Sequence, residues 1–340
     1  MPFINDMLAS NHPSQKNSDT QPSQYDLKGF RFTFDPDNVI QSIEKQIIGQ
    51  DDVLKQLKDV LYCIKANIFD PERPLSTLLF LGPTGVGKTE TVIALAKALN
   101  NGKNLSCRIN MNTLSQDHYA ASLSGAPPGY SGSKESYSLF DSDKIAGSYS
   151  TPSVVLFDEI EKASKEVIRT LLNILDTGEL SLANGQKNIN FRNAIIIMTS
   201  NLGSKDILNE KRTLFELFNS KSQQQKMLKQ LEQRFEPEFI NRIDRKISFK
   251  KIDPEQAIKI IDLELSKLNK RIARSFMTVV LDNAAKLKIN SMCDRRYGVR
   301  DIKRVFKVHI EPLVANIILK GKHSEYIEFT VNDNQLTLKR

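Results

Sequence analysis

Eight residues, Gly82–Thr89, have the types and spacing of a loop that binds phosphate groups. Their sequence GPTGVGKT matches the pattern G-x-x-x-x-G-K-[ST] and follows a short apolar run, Leu78–Leu81, which predicts a buried strand. In such a loop the glycines let successive main-chain N–H groups point at phosphate oxygens, the lysine reaches the β- and γ-phosphates, and the final hydroxyl ligates Mg²⁺. The pattern therefore predicts a nucleotide site with Mg²⁺, formed by Gly82, Pro83, Thr84, Gly85, Val86, Gly87, Lys88 and Thr89.

Two acids, Asp158 and Glu159, end a second apolar run, Val154–Phe157. Ligands of open α/β sheets bind outside the carboxyl ends of the strands, so we expect both side chains near the nucleotide. There Asp158 can hold Mg²⁺ through its water shell, and Glu159 can polarise an attacking water. A third apolar run, Ala194–Met198, leads to Asn201, whose neutral amide is suited to orienting that water.

Strands and helices in alternation must position these residues. Apolar side chains recur at helical spacing from Val53 to Ile68, and a further helix is expected over Thr89–Leu99. Strands that alternate with helices are typical of an α/β fold, so we predict a parallel sheet covered by helices on both faces.

The pattern changes after about Phe249. Two amphipathic helices are expected, over Pro254–Ile272 and Arg300–Leu319, and the chain closes with an alternating strand pair, YIEFTV and QLTL. Residues 8–29 are rich in Ser, Gln, Asn and Pro and nearly lack aliphatic side chains, which predicts disorder. We therefore divide the chain into a disordered N-terminal tail, a large α/β domain and a small, mostly helical domain, over residues 1–35, 36–250 and 251–340.

The composition, 40% hydrophobic and 26% charged, is that of a soluble globular protein. No apolar run approaches the ~20 residues of a membrane span, and the first residues, MPFIND, lack a secretory pattern. The three cysteines, Cys63, Cys107 and Cys293, favour neither a disulfide framework nor a zinc site. These features predict a cytoplasmic protein with no membrane partner.

The net charge of +8 is carried by the C-terminal third of the chain. Residues 245–340 hold 21 Lys and Arg against 11 Asp and Glu. Such an excess occurs in proteins that bind nucleic acids, but also in solvated helical faces and in surfaces that meet an anionic nucleotide or a neighbouring subunit. Because no helix-turn-helix or zinc signature accompanies it, we do not expect nucleic acid as the partner.

Residues 125–132, GAPPGYSG, fit neither a helix nor a strand, since they contain three glycines and two prolines. Tyr130 lies between two of these glycines. Core packing does not account for an aromatic ring on such a stretch, and phosphate binding does not require one.

As a set, several segments resemble the AAA+ ATPases, and within them the second ATPase module of the Clp family of ring-forming protein unfoldases and disaggregases. The segments are IIGQDDV, LFLGPTGVGKTE, GAPPGYSG, VVLFDEIEKAS, NINFRNAIIIMTSNLGS, RFEPEFINRID and YGVRDIKRV. The resemblance extends from about residue 36 to the C-terminus. It implies an AAA+ P-loop fold, with residues 251–340 as a lid, and an ATPase that uses ATP and Mg²⁺.

The resemblance also assigns roles that spacing alone does not. It places Ile47 and Ile48 beside the adenine, and Arg300, in the lid, as a second sensor on the bound phosphate. It makes Arg242 an arginine finger on the γ-phosphate of the next subunit's ATP, which implies a homo-oligomer, in this family a hexamer. The residues that would line a central pore and grip an extended polypeptide are Gly129, Tyr130, Ser131 and Gly132.

Four features depart from the family pattern. Ser131 replaces a valine after the pore tyrosine, and Asn110–Leu114 (NMNTL) replaces an acidic run. Between Asn201 and Arg242 we find no Ile-Gly-Leu-like tripeptide of the kind that docks family members onto the Clp peptidase. We also expect neither a first ATPase module nor a folded N-terminal domain. We therefore expect a single-ring motor that does not feed this peptidase.

The leading hypothesis is an ATP-hydrolysing motor that remodels protein substrates, like an unfoldase or disaggregase, and pulls polypeptide with Tyr130. Two alternatives remain open. The basic C-terminal third suggests a nucleic-acid-associated AAA+ ATPase. Ser131 and the missing domains allow an ATP-switched scaffold that assembles around one partner.

Overall fold

The computed structural model describes residues 30–115, 140–181, 188–202, 220–275, 277–294, 298–320, 326–332 and 335–338. Its helices and strands, in chain order, are α1 (Pro36–Glu44), α2 (Asp51–Lys65), β1 (Ser76–Leu81), α3 (Lys88–Leu99), β2 (Cys107–Asn110), α4 (Ser142–Ala146), β3 (Ser153–Asp158), α5 (Lys165–Thr177), β4 (Glu179–Ser181), β5 (Asn188–Asn190), β6 (Ala194–Ser200), α6 (Ser220–Arg234), α7 (Pro237–Asn241), β7 (Arg245–Ser248), α8 (Pro254–Ile272), β8 (Thr278–Leu281), α9 (Asn283–Met292), α10 (Val299–Val305), α11 (Glu311–Leu319), β9 (Tyr326–Asn332) and β10 (Gln335–Leu338).

The described part of the chain contains a main sheet of five strands in the order β2-β3-β6-β1-β7, and every neighbouring pair in it is parallel. Its three central strands, β3, β6 and β1, contain the apolar runs of the sequence, and all of their residues are buried. Because the strands are parallel, they end at one edge, where Leu81 of β1 lies opposite Ser200 of β6. The predicted α/β fold with a parallel sheet is confirmed.

Helices cover both faces of this sheet. Successive strand residues point to opposite faces, so the apolar strands present side chains that have to be buried on both sides. Leu79 and Leu81 join the buried side chains of α5 in one apolar core. Leu78 and Phe80 join those of α2 and α3 in the other. The two cores fix the strands, and thereby the loops that follow them.

Residues 30–34 pack against the large domain before α1 begins. Phe32 is 1% exposed, and its ring packs against the rings of Phe34 and Phe69. The main-chain N–H of Thr33 donates to the carbonyl oxygen of Ser150 at 3.0 Å. The tail predicted over residues 1–35 therefore does not include this segment, because its aromatic side chains complete the core.

The residues predicted to form the lid have an apolar core of their own, to which α8, α9, α10, β8 and β9 contribute. Helix α8 begins with a capping box, in which the Asp253 carboxylate accepts the Gln256 N–H and the Gln256 side chain accepts the Asp253 N–H. The predicted strand pair is the antiparallel pair β9 and β10. Strand β8, which the sequence did not predict, adds to β9 in parallel.

The helix predicted over Arg300–Leu319 is interrupted by a π-helical turn at Phe306–Ile310. Pro312 follows this turn. Proline has no N–H to donate, and its ring displaces the carbonyl one turn earlier, so the helix widens before α11 begins. No described helix, these included, is long and apolar enough to cross a membrane.

Gln50 fixes the point at which the chain enters the lid. Gln50 is only 1% exposed. Its side-chain amide donates to the carbonyl oxygen of Lys250 at 2.9 Å and accepts the Lys250 N–H at 3.0 Å. This contact lies beside the predicted boundary between residues 250 and 251. The division into two domains at that boundary stays a prediction.

Candidate active site

A cavity of about 260 Å³ opens at the carboxyl edge of the main sheet. Its walls come from the loop after β1, the end of β3, the segment after β6 and the start of α10 in the lid. Six predicted side chains line it together, those of Lys88, Thr89, Asp158, Glu159, Asn201 and Arg300, with the loop residues Thr84, Gly85 and Gly87. The sheet thus gathers groups that are far apart in the sequence, at the edge where the sequence predicted a ligand.

The loop between β1 and α3 has a backbone that only glycine adopts readily. Gly82, Gly85 and Gly87 have φ angles of 146°, 80° and 104°. A Cβ atom at Gly82 would also lie 2.8 Å from the carbonyl oxygen of Phe249. Helix α3 begins directly after Gly87, with no side-chain cap, so its first N–H groups are available to an anionic ligand.

The Lys88 ammonium is held over this loop. The residue is 7% exposed, and Nζ donates to the carbonyl oxygens of Gly82 at 2.5 Å and Pro83 at 2.8 Å, and to Oδ1 of Asn201 at 2.9 Å. Burial lowers the pKa of Lys88 to about 8, against the opposite effect of the Glu161 and Asp158 carboxylates. A poorly hydrated cation among neutral oxygens is well suited to meet a phosphate.

The Asp158 carboxylate is held from two sides. Oδ2 accepts a hydrogen bond from the Arg108 guanidinium at 2.5 Å, and Oδ1 accepts one from the Thr199 hydroxyl, also at 2.5 Å. Arg108 is on β2, opposite Leu156 of the neighbouring strand β3 and so two residues before the position of Asp158. The sequence did not identify Arg108 or Thr199, since both contacts arise only from strand pairing.

Glu159 has an unusual backbone, with φ 60° and ψ 53°. Its N–H donates to the Thr199 hydroxyl oxygen at 3.0 Å, and Oε1 accepts a hydrogen bond from the Asn201 amide at 3.4 Å. The two residues predicted to activate and orient a water therefore contact each other directly. A left-handed non-glycine residue is found where the surroundings hold it, often at functional sites.

These donors and acceptors fit a nucleotide with Mg²⁺. Lys88 and the N–H groups at the start of α3 would face the phosphates. The Asp158 carboxylate and the Thr89 hydroxyl are oxygen ligands of the kind that Mg²⁺ takes, and they would share the ion with phosphate oxygens. Within the described ranges, no group of three or more His, Cys, Asp or Glu side chains could hold a metal by itself.

The lid contacts the loop through its main chain. The Val299 N–H donates to the carbonyl oxygen of Gly85 at 2.9 Å, and Gly298, with φ 55°, brings the two backbones together. Arg300 follows and lines the cavity. Lys303, which the sequence did not identify, is ion-paired with Glu90 of α3 at 3.1 Å. Residues 298–303 thus contact both the phosphate loop and the first turn of helix α3.

Ile47 and Ile48 lie where the large domain meets the lid. Ile47 is 6% exposed and belongs to the core that contains α2 and α3. Ile48 is partly buried and packs against the lid core. Neither side chain lines the 260 Å³ cavity. Their contact with an adenine ring stays a prediction.

Arg242 lies apart from the cavity, at the end of α7. Its guanidinium is ion-paired with Asp176 in the last turn of α5, and its carbonyl oxygen accepts a hydrogen bond from Arg73 at 3.4 Å. Asp244, two residues later, accepts the N–H of Thr77 at the start of β1, at 2.7 Å. Arg242 is therefore at the amino edge of the sheet, opposite the edge that carries the cavity.

The remaining predicted residues lie outside the described ranges. They are Gly129, Tyr130, Ser131 and Gly132, and the same holds for residues 203–219 in the segment without a docking tripeptide. Asn110, at the position where the family has an acid, is described. Its Oδ1 accepts the Asn112 N–H at 3.1 Å and so caps the short turn Met111–Leu114.

Two family models match successive parts of the chain. Residues 73–246 match the model described as an AAA domain of the Cdc48 subfamily. Residues 252–331 match the C-terminal D2-small domain of ClpB protein.

Relatives of similar length and of greater length are both found. An "ATP-dependent protease ATP-binding subunit-like protein AmiB" of Pseudomonas aeruginosa is 38% identical over 94% of this chain and 93% of its own length. The "Negative regulator of genetic competence ClpC/MecB" of Bacillus subtilis is 34% identical over 89% of this chain and 38% of its own length. The "Chaperone protein ClpB" of Aquifex aeolicus is 37% identical over 82% of this chain and 28% of its own length. The two family models and these relatives together cover most of the chain. The chain therefore belongs to the Clp family of AAA+ ATPases and is an enzyme that binds and hydrolyses ATP.

Proposed function

We propose that this ATPase is a protein-remodelling motor, which assembles with copies of itself into a hexameric ring and pulls polypeptide with Tyr130. The observation that carries the proposal is the position of Arg242. The phosphate-side groups gather in one cavity, whereas Arg242 lies at the opposite edge of the sheet. An arginine so placed can reach a phosphate only in another copy, so assembly would complete the catalytic set.

Within one subunit, each element of the site would have a separate role. Lys88 and the N–H groups of the loop would bind the phosphates, and Thr89 and Asp158 would hold Mg²⁺. Glu159 would take a proton from the attacking water, which Asn201 would help to orient. Ile47 and Ile48 would flank the adenine, and Arg300 would contact the phosphate from the lid, residues 251–340, and so couple lid position to hydrolysis in the large domain, residues 36–250. Mg²⁺, when bound, would supply positive charge to the transferring phosphoryl group.

The substrate side of the proposal rests on residues 129–132. A tyrosine ring can press on any extended polypeptide, whatever its sequence. Ser131, where the family has a valine, would make the grip less apolar. The ClpB relative is named a chaperone, which agrees with work on protein substrates.

We further propose that the ring acts in the cytoplasm and does not dock onto the Clp peptidase. The segment between Asn201 and Arg242 contains no Ile-Gly-Leu-like tripeptide, and residues 204–226 (SKDILNEKRTLFELFNSKSQQQK) contain no glycine. The AmiB relative is named as resembling an ATP-binding subunit of a protease, so the point needs a direct test. A degradation assay with Clp peptidase should give no more proteolysis than the peptidase alone.

The motor function is tested by Tyr130→Ala. The matched control is Tyr130→Phe, which keeps the aromatic side chain. Tyr130→Ala should hydrolyse ATP within about threefold of the unmodified protein, since the substitution leaves the cavity residues intact, but it should fail to unfold a tagged fluorescent test protein. Tyr130→Phe should unfold it. Equal unfolding by both variants would refute the pulling role of the tyrosine.

Assembly is tested separately with Glu159→Gln, which should bind ATP without hydrolysing it. On a sizing column with ATP and Mg²⁺ this variant should elute as a hexamer. A monomer would refute the ring. A hexamer whose unmodified form hydrolyses ATP but never unfolds the test protein would instead support the ATP-switched scaffold.

The basic excess of residues 245–340 favours a second candidate, binding of nucleic acid. Several of these basic side chains are already paired with acids of the same chain, in the pairs Lys267–Glu264, Arg271–Glu311, Lys286–Asp262, Lys303–Glu90 and Arg304–Asp301. Pairing weakens the positive field that a phosphate backbone would meet, so this candidate ranks second. ATP hydrolysis stimulated by DNA, with binding that weakens steeply with salt, would favour it over the motor.

A further inference from the structure

We infer that Thr199 is a positioning residue for ATP hydrolysis, because its single hydroxyl sets the placement of both acids, Asp158 and Glu159. The inference rests on the roles proposed above for these two acids. Thr199 itself would not contact the nucleotide's reacting atoms. It would act through the carboxylate on one side and the main chain of the next residue on the other.

The hydroxyl is placed between the two acids by the pairing of β3 with β6. Phe157 lies opposite Met198 in the register, so Thr199 follows beside Asp158. Thr199 is 1% exposed, and its Oγ1 donates to Oδ1 of Asp158 at 2.5 Å while accepting the N–H of Glu159 at 3.0 Å. A hydroxyl has one proton, and an ionised carboxylate can only accept it, so the oxygen lone pairs are left for the N–H. The directions of both hydrogen bonds are therefore fixed.

The second hydrogen bond acts on a residue in a demanding conformation. Glu159 has φ 60° and ψ 53°, the left-handed region that non-glycine residues seldom occupy. Such a backbone persists only where its surroundings hold it. The bond from the Glu159 N–H to Thr199 anchors this peptide, and the Glu159 side chain then comes within 3.4 Å of the Asn201 amide.

The first hydrogen bond acts on the carboxylate proposed to hold Mg²⁺. Thr199 holds one oxygen of Asp158, and Arg108 contacts the other at 2.5 Å. With one oxygen held in the sheet, the carboxylate can rotate little, and the second oxygen stays turned to the cavity that Arg108 also lines. Loss of the hydroxyl would leave a buried oxygen and a buried N–H without this partner, and both acids would be free to move.

The test compares Thr199→Val, which keeps the shape and removes the hydroxyl, with Thr199→Ser, which keeps the hydroxyl. Thr77→Val is the matched control, because Thr77 is also 1% exposed and lies on the neighbouring strand β1 at the other edge of the sheet. The measurements are kcat and KM for ATP, the melting temperature without nucleotide, and the Kd of a fluorescent ATP analogue with Mg²⁺ and with EDTA.

Thr199→Val should lower kcat about 10²-fold, the loss expected when a reacting group is misplaced by about 1 Å. It should also reduce the gain in affinity that Mg²⁺ gives the analogue. Its Kd in EDTA should stay within about threefold of the unmodified protein, since the phosphate loop is untouched. Thr199→Ser and Thr77→Val should keep kcat within about threefold.

A purely structural role for Thr199 predicts different results. Equal losses of kcat in Thr199→Ser and Thr199→Val, or an unchanged kcat and Mg²⁺ effect in a folded Thr199→Val, would overturn the inference. If Thr199→Val does not fold, Thr199→Ala removes the same hydroxyl in a smaller side chain and carries the same expectations. Glu159→Gln separates this inference from the proposal beneath it, because rapid hydrolysis by Glu159→Gln would overturn the proposed site whatever Thr199 does.

Discussion

Replacing Gly298 with alanine should release the lid from the phosphate loop. Gly298 has φ 55° and ψ −135°, a combination that residues with a Cβ avoid. A Cβ atom there would lie 2.6 Å from the carbonyl oxygen of Gly85 and 3.0 Å from its carbonyl carbon. Because both are main-chain atoms, no side chain can rotate away to relieve the contact, and one of the two backbones has to move.

The free-energy cost of the substitution has two parts, the strain of the backbone at residue 298 and the loss of one hydrogen bond. The strained backbone costs about 1–3 kcal/mol. Loss of the hydrogen bond from Val299 to Gly85 costs about 0.5–1.5 kcal/mol. Docking of the lid should therefore weaken by about 1.5–4.5 kcal/mol, which is roughly 10- to 2,000-fold in the docking equilibrium. The binding free energy of the nucleotide can decrease by no more than the docked lid contributes to it.

In the role proposed above, that contribution would come chiefly from Arg300, two residues further along the chain. A hydrogen bond from a charged group to phosphate contributes about 1.5–3 kcal/mol, so Gly298→Ala should raise the Kd of a fluorescent ATP analogue roughly 10- to 150-fold. Adding Arg300→Ala to Gly298→Ala should change the Kd little further, because the arginine has already left the cavity. Equilibrium binding of the analogue to the single and double variants measures this.

Gly102→Ala is the matched control. Gly102 also has a positive φ, 87°, but a Cβ atom there would meet no atom within 4 Å. The control introduces strain without the clash and should leave the Kd within about twofold. If Gly298→Ala binds the analogue as tightly as Gly102→Ala, or if Arg300→Ala keeps its full effect in the double variant, the lid is not held as we infer.

Two further predictions concern charges in the cavity. Arg108→Gln removes the cation that contacts Asp158 at 2.5 Å and would compete with Mg²⁺ for that carboxylate. Because Arg108 is half-exposed, the Mg²⁺ concentration for half-maximal ATP hydrolysis should fall only about two- to fivefold. A rise in this concentration, measured in a Mg²⁺ titration, would contradict the prediction. Burial lowers the pKa of Lys88 from 10.5 to about 8. Between these pH values the unfolded chain holds a proton that the folded chain lacks, so the free energy of unfolding of the nucleotide-free protein should increase as the pH rises through this range. Nucleotide affinity should be constant below about pH 8 and fall above it, because the neutral amine attracts phosphate weakly; a Kd independent of pH from 7.5 to 9.5 would contradict the low pKa.

The strands of the main sheet that the sequence predicted are those buried on both faces. The runs within β1, β3 and β6 are continuously apolar, as expected for the centre of a parallel sheet. Strand β2 was missed because it has only four residues, of which the two polar ones are exposed. Strand β8 was missed because its pairing partner β9 is distant in the sequence and pairs with it in parallel. Short strands that depend on non-local pairing carry little local signal.

The site was predictable to the extent that its residues lie next to one another in the sequence. The phosphate loop and the acid pair at Asp158 carry their own patterns, and the structure places both at one cavity. Arg108, Thr199 and Val299 were missed, because each acts on a residue that only strand pairing or lid docking brings near. Val299 acts through its main chain, so its side-chain type carries no signal at all.

The strand β1 joins the two edges that matter for the proposed ring. At its start the Thr77 N–H donates to Asp244, two residues after Arg242, and at its end the phosphate loop begins at Gly82. All six residues of β1 are buried in close-packed cores, so a displacement at one edge is not readily absorbed before it reaches the other. Arg242 would act on the nucleotide of a neighbouring copy, and the loop would hold the subunit's own. The same strand would thus connect two successive nucleotides of the proposed ring, and hydrolysis in one subunit would have a direct route to the Arg242 that serves the next.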